Sequence, residues 1–354
     1  MSRLSRPERI ALASIVVLSA LAGVAHYGAW APVPRFALAT LALAGLAWVV
    51  SFATEQLGEH FGPGVTGMLQ ATLGNLPELF VVIFALKAGE LVVAQTAIVG
   101  SIFANALLVL GLVIVVGARR APDGIMRFSE RLPRDTATLL QITVFIIVLL
   151  GISLGAHDPA SHHIETISAV GAVCLLVVYL AWVIPYLRSD LAGEREGDRA
   201  APRLSLNVTL ALLLLAGVGS AFVSDWFVSA LAPAIAVLHL SQAFAGLVIV
   251  AIAGNAVEHA VGLVLAYKRR SDLAISVVKN SVAQIAAFLF PLLVLISFAL
   301  PTQLTFALAP VYVGALALTA LSVWQVTGDG EAAEFEGWAL VALYVILATL
   351  TLYE

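Results

Sequence analysis

The chain has 354 residues, of which 61% are hydrophobic and only 11% charged, with a net charge of −4. A water-soluble domain carries about 25% charged residues, so an ordinary globular fold is excluded. The small acidic balance argues against nucleic acid as a partner. A single cysteine, Cys174, rules out a disulfide framework or a thiolate metal cluster, and its apolar surroundings make it read as a small buried hydrophobe.

Apolar runs of about 20 residues, each long enough to cross a bilayer, follow one another along the chain. Eleven spans are expected, at roughly 10–30, 35–57, 65–88, 91–118, 135–156, 164–187, 205–232, 239–266, 273–299, 303–326 and 337–353. The first follows Arg3, Arg6 and Arg9 as a signal peptide would. It extends to about Trp30 with no clear small-residue cleavage site before the next span, so it reads as a retained helix. The fold class expected is an all-α polytopic membrane protein.

The basic residues give the sidedness, because cytoplasmic loops are enriched in Lys and Arg. With the N-terminus inside, the tail holds Arg3, Arg6 and Arg9, and the 4–5 loop holds Arg119, Arg120, Arg127, Arg131 and Arg134. The 6–7 loop holds Arg188, Arg195, Arg199 and Arg203, and the 8–9 loop holds Lys268, Arg269 and Arg270. Fifteen of the eighteen basic residues then share one side, leaving Arg35, Lys87 and Lys279. An odd span count puts the C-terminus outside. The loop 328–337, with Asp329, Glu331, Glu334 and Glu336, reads as a solvated acidic turn on the cytoplasmic side.

A repeat is hidden in the polar residues. An offset of 180 residues aligns Gly74 with Gly254, Asn75 with Asn255, Glu78 with Glu258 and Ser101 with Ser281. The first copy falls on span 3 and the second on span 8, so the two run in opposite directions. The expected organisation is therefore a tail and leading helix (1–33), a first five-helix repeat (34–187), a cytoplasmic linker (188–204) and a second, inverted repeat (205–354). Inverted repeats with midplane sites are a common plan of secondary transporters.

An ionised carboxylate at the centre of a span costs about 2.5–3.5 kcal/mol on insertion scales, so Glu78 and Glu258 need partners or protons. Asn75 and Asn255 each precede a glutamate by three residues, which puts amide and carboxylate on one helix face. Gly74, Gly254 and Pro77 weaken the helix at that point and free backbone carbonyls. The following spans add Ser101 and Asn105, or Ser281 and Gln284. Pooled, these are hard oxygen ligands of the kind calcium takes, about 6–8 at a time. When metal leaves, two buried carboxylates in one site repel each other and bind protons instead.

These residues resemble the calcium/proton exchangers of the cation/calcium exchanger superfamily. Gly74-Asn75-Leu76-Pro77-Glu78-Leu79, the run Ile83–Gly89, and Gly100-Ser101-Ile102 through Asn105 are similar to that family's first repeat. Gly254-Asn255-Ala256-Val257-Glu258-His259, Asp272-Leu273-Ala274-Ile275 and Gln284-Ile285 are similar to its second. The resemblance covers about 35 residues in each half. It implies ten core helices plus a leading one, with Glu78 and Glu258 as the shared calcium and proton site and His259 as a further proton-relay candidate. Lys279 stands where the family has an apolar residue, and a lysine about two turns from a cytoplasmic end is expected to snorkel to the surface.

The expected function is Ca2+/H+ antiport at a bacterial inner membrane, with the bilayer, Ca2+ and H+ as partners, no cofactor, and room for a homo-oligomer. Na+ or K+/H+ antiport is the alternative of the same class, and a cation channel the alternative of another. An intramembrane metalloprotease would need a His-Glu-x-x-His stretch, which does not occur.

Overall fold

The computed structural model describes residues 4–61, 73–129, 131–193 and 203–354. In chain order it forms α1 (Arg6–Tyr27), α2 (Pro32–Phe61), α3 (Leu76–Lys87), α4 (Leu91–Arg120), β1 (Ile125–Arg127), α5 (Arg131–Gly155) and α6 (Ile164–Gly193). There follow α7 (Leu206–Leu238), α8 (Gln242–Gly254), α9 (Ala256–Tyr267), α10 (Ser271–Ser297), α11 (Pro310–Thr327), β2 (Glu331–Ala333) and α12 (Glu334–Leu352). Nine of the described helices are long and apolar enough to cross a membrane, and the bent pair α8–α9 makes a tenth span. The remaining expected span, 65–88, is described from residue 73 onward; its beginning and much of the 188–204 linker lie outside the described residues. This is an all-α polytopic membrane protein.

Side chains face outward or inward for one physical reason. Valines, leucines and phenylalanines such as Phe145 and Ile152 of α5, Val173 and Val177 of α6, Leu318 of α11 and Ile346 of α12 are exposed. In lipid an apolar surface carries no penalty, while backbone polar groups must be paired within the chain, which helices achieve. Cys174, read from sequence as buried, lies on this exposed face of α6. Hydropathy cannot tell a lipid-facing from a core-facing apolar position.

The chain packs as two compact units, Met1–Ala88 with Leu180–Leu240, and Gly89–Tyr179 with Ser241–Glu354. In the first, α2 and α7 run antiparallel: Phe36 meets Phe227 with ring centroids 5.0 Å apart, and ten residues further along α2 Leu46 packs on Gly219, eight residues back along α7. The leading helix α1 opens on a capping box between Ser5 and Glu8 and lies on both, with Ile15 against Gly45 and Trp226 against Gly23. Its N-terminal end is tied by Glu8 to Arg203, 2.8 Å away.

In the second unit helices approach through glycine. A Cβ added to Gly100 of α4 would lie 2.5 Å from the Leu247 Cα of α8, and one added to Gly246 of α8 would strike the Thr96 hydroxyl of α4. Gly111 of α4 and Gly337 of α12 face each other in the same way, each 2.6 Å from the other's carbonyl oxygen once a Cβ is placed. Small residues let membrane helices gain dispersion contact where no hydrophobic effect drives them together. A short antiparallel ribbon, Ile125–Arg127 on Glu331–Ala333, joins the loops after α4 and α11. Arg127 bridges Asp123 (2.6 Å) and Glu331 (3.2 Å), and Arg119 bridges Glu334 (2.7 Å). The Arg127 guanidinium holds the Asp123 carboxyl below its usual range. Half the acidic loop is thus neutralised by arginine rather than simply solvated.

The glycine crossings set a stability test. Gly100→Leu drives a side chain into backbone and should lower the stability of the detergent-solubilised protein by about 2–4 kcal/mol. Gly314→Ala, where an added Cβ meets nothing within 4 Å, should leave it unchanged or raise it by up to about 1 kcal/mol. Thermal unfolding of both variants makes the comparison.

Candidate ion-exchange site

The 180-residue offset seen in the sequence reappears as local backbone structure. Asn75 precedes the 12-residue helix α3 with φ −93° and ψ 15°; Asn255 precedes the 12-residue α9 with φ −103° and ψ 14°. Both helices end in a tight turn with a left-handed residue, Gly89 (φ 82°) and Arg269 (φ 60°). Both are followed by a long helix interrupted by a π turn, Ala104–Val109 in α4 and Ile285–Leu289 in α10. A third π turn, Ala245–Val250, precedes the break in α8–α9. The aligned stretch of the first copy, 65–70, lies outside the described residues.

The break itself is a bend of 60° between α8 and α9 at Asn255. The Ala251 carbonyl there accepts twice from Asn255, from its backbone N–H at 3.3 Å and from its side-chain Nδ2 at 2.9 Å. The same Nδ2 donates to Ser101 Oγ at 3.0 Å, and Asn255 Oδ1 accepts from Asn105 Nδ2 at 3.0 Å. Asn105 Nδ2 in turn donates to the Ser101 carbonyl at 2.9 Å. All three side chains are buried. Ser101, Asn105 and Asn255, chosen from the sequence as separate oxygen donors, form one hydrogen-bonded group linking α4 to the α8–α9 break.

Glu78 and Glu258 occupy the third position of α3 and α9, within the first turn. The positive end of the helix macrodipole and its unpaired N–H groups lie there, where negative charge is favoured. Glu78 and Asn75 are buried in the first unit; Glu258 is half-buried in the second. Ser281 is buried and Gln284 half-buried on α10. Gln284 sits just before its π turn whereas Asn105 sits inside its own, so the two are not equivalent positions. His259 is buried, and its Nε2 has no hydrogen-bond partner.

Buried oxygens of the second unit that lack a donor include Asn105 Oδ1, Asn280 Oδ1 and Ser281 Oγ. Leaving such an atom unpaired costs about 1–3 kcal/mol, and a hard cation is a partner that removes that cost. Among the described residues no three His, Cys, Asp or Glu side chains cluster to hold a metal. A cation here would depend on carboxylate plus neutral oxygens. Asn280 was not expected from sequence as a ligand. Nor was Thr143 of α5, whose hydroxyl donates to the Ala286 carbonyl at 3.1 Å inside the α10 π turn.

Lys279 departs from expectation. It does not snorkel: it is 1% exposed, and its Nζ donates to Thr327 Oγ1 at 3.1 Å. The buried end of α11 offers it a polar partner within the protein.

Two matching short helices, each opening on an asparagine with a glutamate in its first turn, one of them the second half of a broken span, fit a secondary transporter built from repeats. The chain belongs to the sodium/calcium exchanger protein family, whose profile matches residues 32–185 and 208–353. It is 31% identical over 339 residues to the vacuolar calcium ion transporter of Schizosaccharomyces pombe, covering 93% of this chain and 82% of that one. It is 30% identical to a Ca(2+)/H(+) antiporter of Synechocystis sp., covering 94% of this chain and 95% of that one. Among solved structures it is similar to native YfkE, with a TM-score of 0.80 and 28% identity over 98% of this chain and 99% of that one.

The Asn105–Asn255 bond is open to a double-mutant cycle. Asn105→Ala and Asn255→Ala should each destabilise the protein by about 1–3 kcal/mol, with a coupling of about 0.5–3 kcal/mol between them. Simple additivity in thermal unfolding would show the bond to be energetically silent.

Proposed function

We propose that the protein is an antiporter exchanging Ca2+ for H+ across its membrane, with Glu78 and Glu258 as the carboxylates that carry either ion. The observation that carries this reading is the repeated half-helix, an asparagine break followed by glutamate in the first turn. Two relatives, a vacuolar calcium ion transporter and a Ca(2+)/H(+) antiporter, support the choice of ions. Asn75, Asn255, Ser101, Asn105, Ser281 and Gln284 supply neutral oxygens to the metal. His259, next to Glu258, relays protons.

The chemistry of exchange follows from competition. A carboxylate oxygen that holds a proton has lost the negative charge calcium needs, and a carboxylate bound to calcium has no affinity for a proton. Metal and protons therefore exclude one another. The opposed sense of the two repeats supports alternating access. The basic loops support a cytoplasmic N-terminus and an external C-terminus, and the cyanobacterial relative fits a bacterial inner membrane.

Reconstituted in proteoliposomes, the protein should take up calcium when a pH gradient is imposed, with no sodium present. Glu78→Gln and Glu258→Gln should each abolish uptake. Because protons compete with the metal, the apparent KM for calcium should fall as pH on the loading side rises. Sodium-driven uptake, or full activity in either variant, would reject this mechanism.

A further inference from the structure

Lys279 is the one basic side chain among the largest fully buried residues. Its single hydrogen bond goes to Thr327, the last residue of α11, whose hydroxyl donates to the Val323 carbonyl at 2.7 Å. The carbonyl of the next residue, Gly328, accepts from Arg134 Nε at 3.2 Å. Two cationic side chains thus meet the C-terminus of α11, where the helix macrodipole is negative and positive charge is favoured. Among the described residues no carboxylate forms an ion pair with Lys279. A protonated Lys279 would be favoured by the helix end, with no described carboxylate to cancel it.

Lys279 stands on the helix that carries two of the proposed ion ligands of its own unit. Lys279 precedes Ser281 by two residues and Gln284 by five on α10. The neighbouring Val278 packs on Gly262 of α9, where an added Cβ would lie 3.0 Å from Val278 Cγ2. Gly262 follows Glu258 by four residues, about one helical turn. Lys279 also points some 200° around α10 from Ser281, so its ammonium does not join the ligands. Its influence is through space, in surroundings where water screens little.

We propose that Lys279 is a specificity-determining residue, a built-in positive charge that weakens the hold of the Glu258–Ser281–Gln284 ligands on divalent cations and so speeds their release. The effect scales with the charge of the ion, so a divalent cation meets twice the repulsion that a monovalent one does. At an effective dielectric constant near 20 such a charge is screened only in part, and removing it should tighten calcium binding about tenfold or more. This inference rests on the calcium/proton reading, and the test separates the two.

The test is calcium titration of the detergent-solubilised full chain by calorimetry, with calcium chloride alone as the probe, beside pH-driven uptake in proteoliposomes. Lys279→Met and Lys279→Gln should lower the calcium Kd about tenfold and reduce maximal uptake, because release slows. Lys279→Arg should keep both near wild type. Thr327→Val, which removes the hydrogen bond and keeps the charge, should move Kd far less than Lys279→Met. A calcium Kd in Lys279→Met unchanged or weakened, in protein that unfolds as cooperatively as wild type, overturns the proposal. So does failure of Lys279→Arg to restore it, since packing alone would then explain the residue. A wild-type chain that binds calcium yet does not exchange it for protons sinks the antiporter reading while leaving the Lys279 titration decisive; one that binds no calcium overturns both.

Discussion

Hydrocarbon offers no hydrogen bonds, so every polar group this chain sends into the membrane must be satisfied by the chain itself or by a passenger. The break at Asn255 shows the constraint at work. The span bends by 60°, and there one side-chain amide adds a bond to the Ala251 carbonyl while joining Ser101 and Asn105 of a neighbouring helix. The pairing stops short of completion. Asn105, Asn280 and Ser281 each keep a buried oxygen with no donor. An exchanger needs such oxygens, because atoms fully satisfied within the protein have nothing to offer an ion.

Close packing makes that arrangement possible. Gly100 against Leu247, Gly246 against Thr96 and Gly111 against Gly337 bring backbones together at distances a side chain would forbid. The π turns in α4, α8 and α10 lie beside the same crossings. A π turn widens the helix and displaces its hydrogen bonds, a feature that recurs at functional sites. Thr143 closing on the Ala286 carbonyl shows how a distant helix supplies the missing partner.

Charge inside the second unit is handled by helix ends as much as by ion pairs. Glu258 lies at the start of α9, where the dipole favours an anion, and Lys279 faces the end of α11, where it favours a cation. The ion pairs that do form, Arg119–Glu334 and Arg127 with Asp123 and Glu331, lie in the exposed loops around the β ribbon. There, water screens them and each contributes little, about 0–1 kcal/mol. They tether loops rather than tune the ion.

Much of this was legible in the residues alone. Long apolar runs have one stable solution in a bilayer, so the span positions of α4, α6 and α10 could be read to within several residues. The two Gly-Asn-x-x-Glu stretches stood out because polar groups in a span are costly enough to need a purpose. Only the tertiary structure decided which of those polar groups meet: that Asn105 bonds Asn255, that Gln284 and Asn105 are not counterparts, and that Lys279 turns inward to Thr327 instead of outward to water. Cys174 on a lipid-facing surface and the strand pairing between loops some 200 residues apart were equally out of reach. A sequence records what each residue costs to bury, which is a local property. Which neighbour offsets that cost depends on helix rotation and crossing, and only the packed chain sets those.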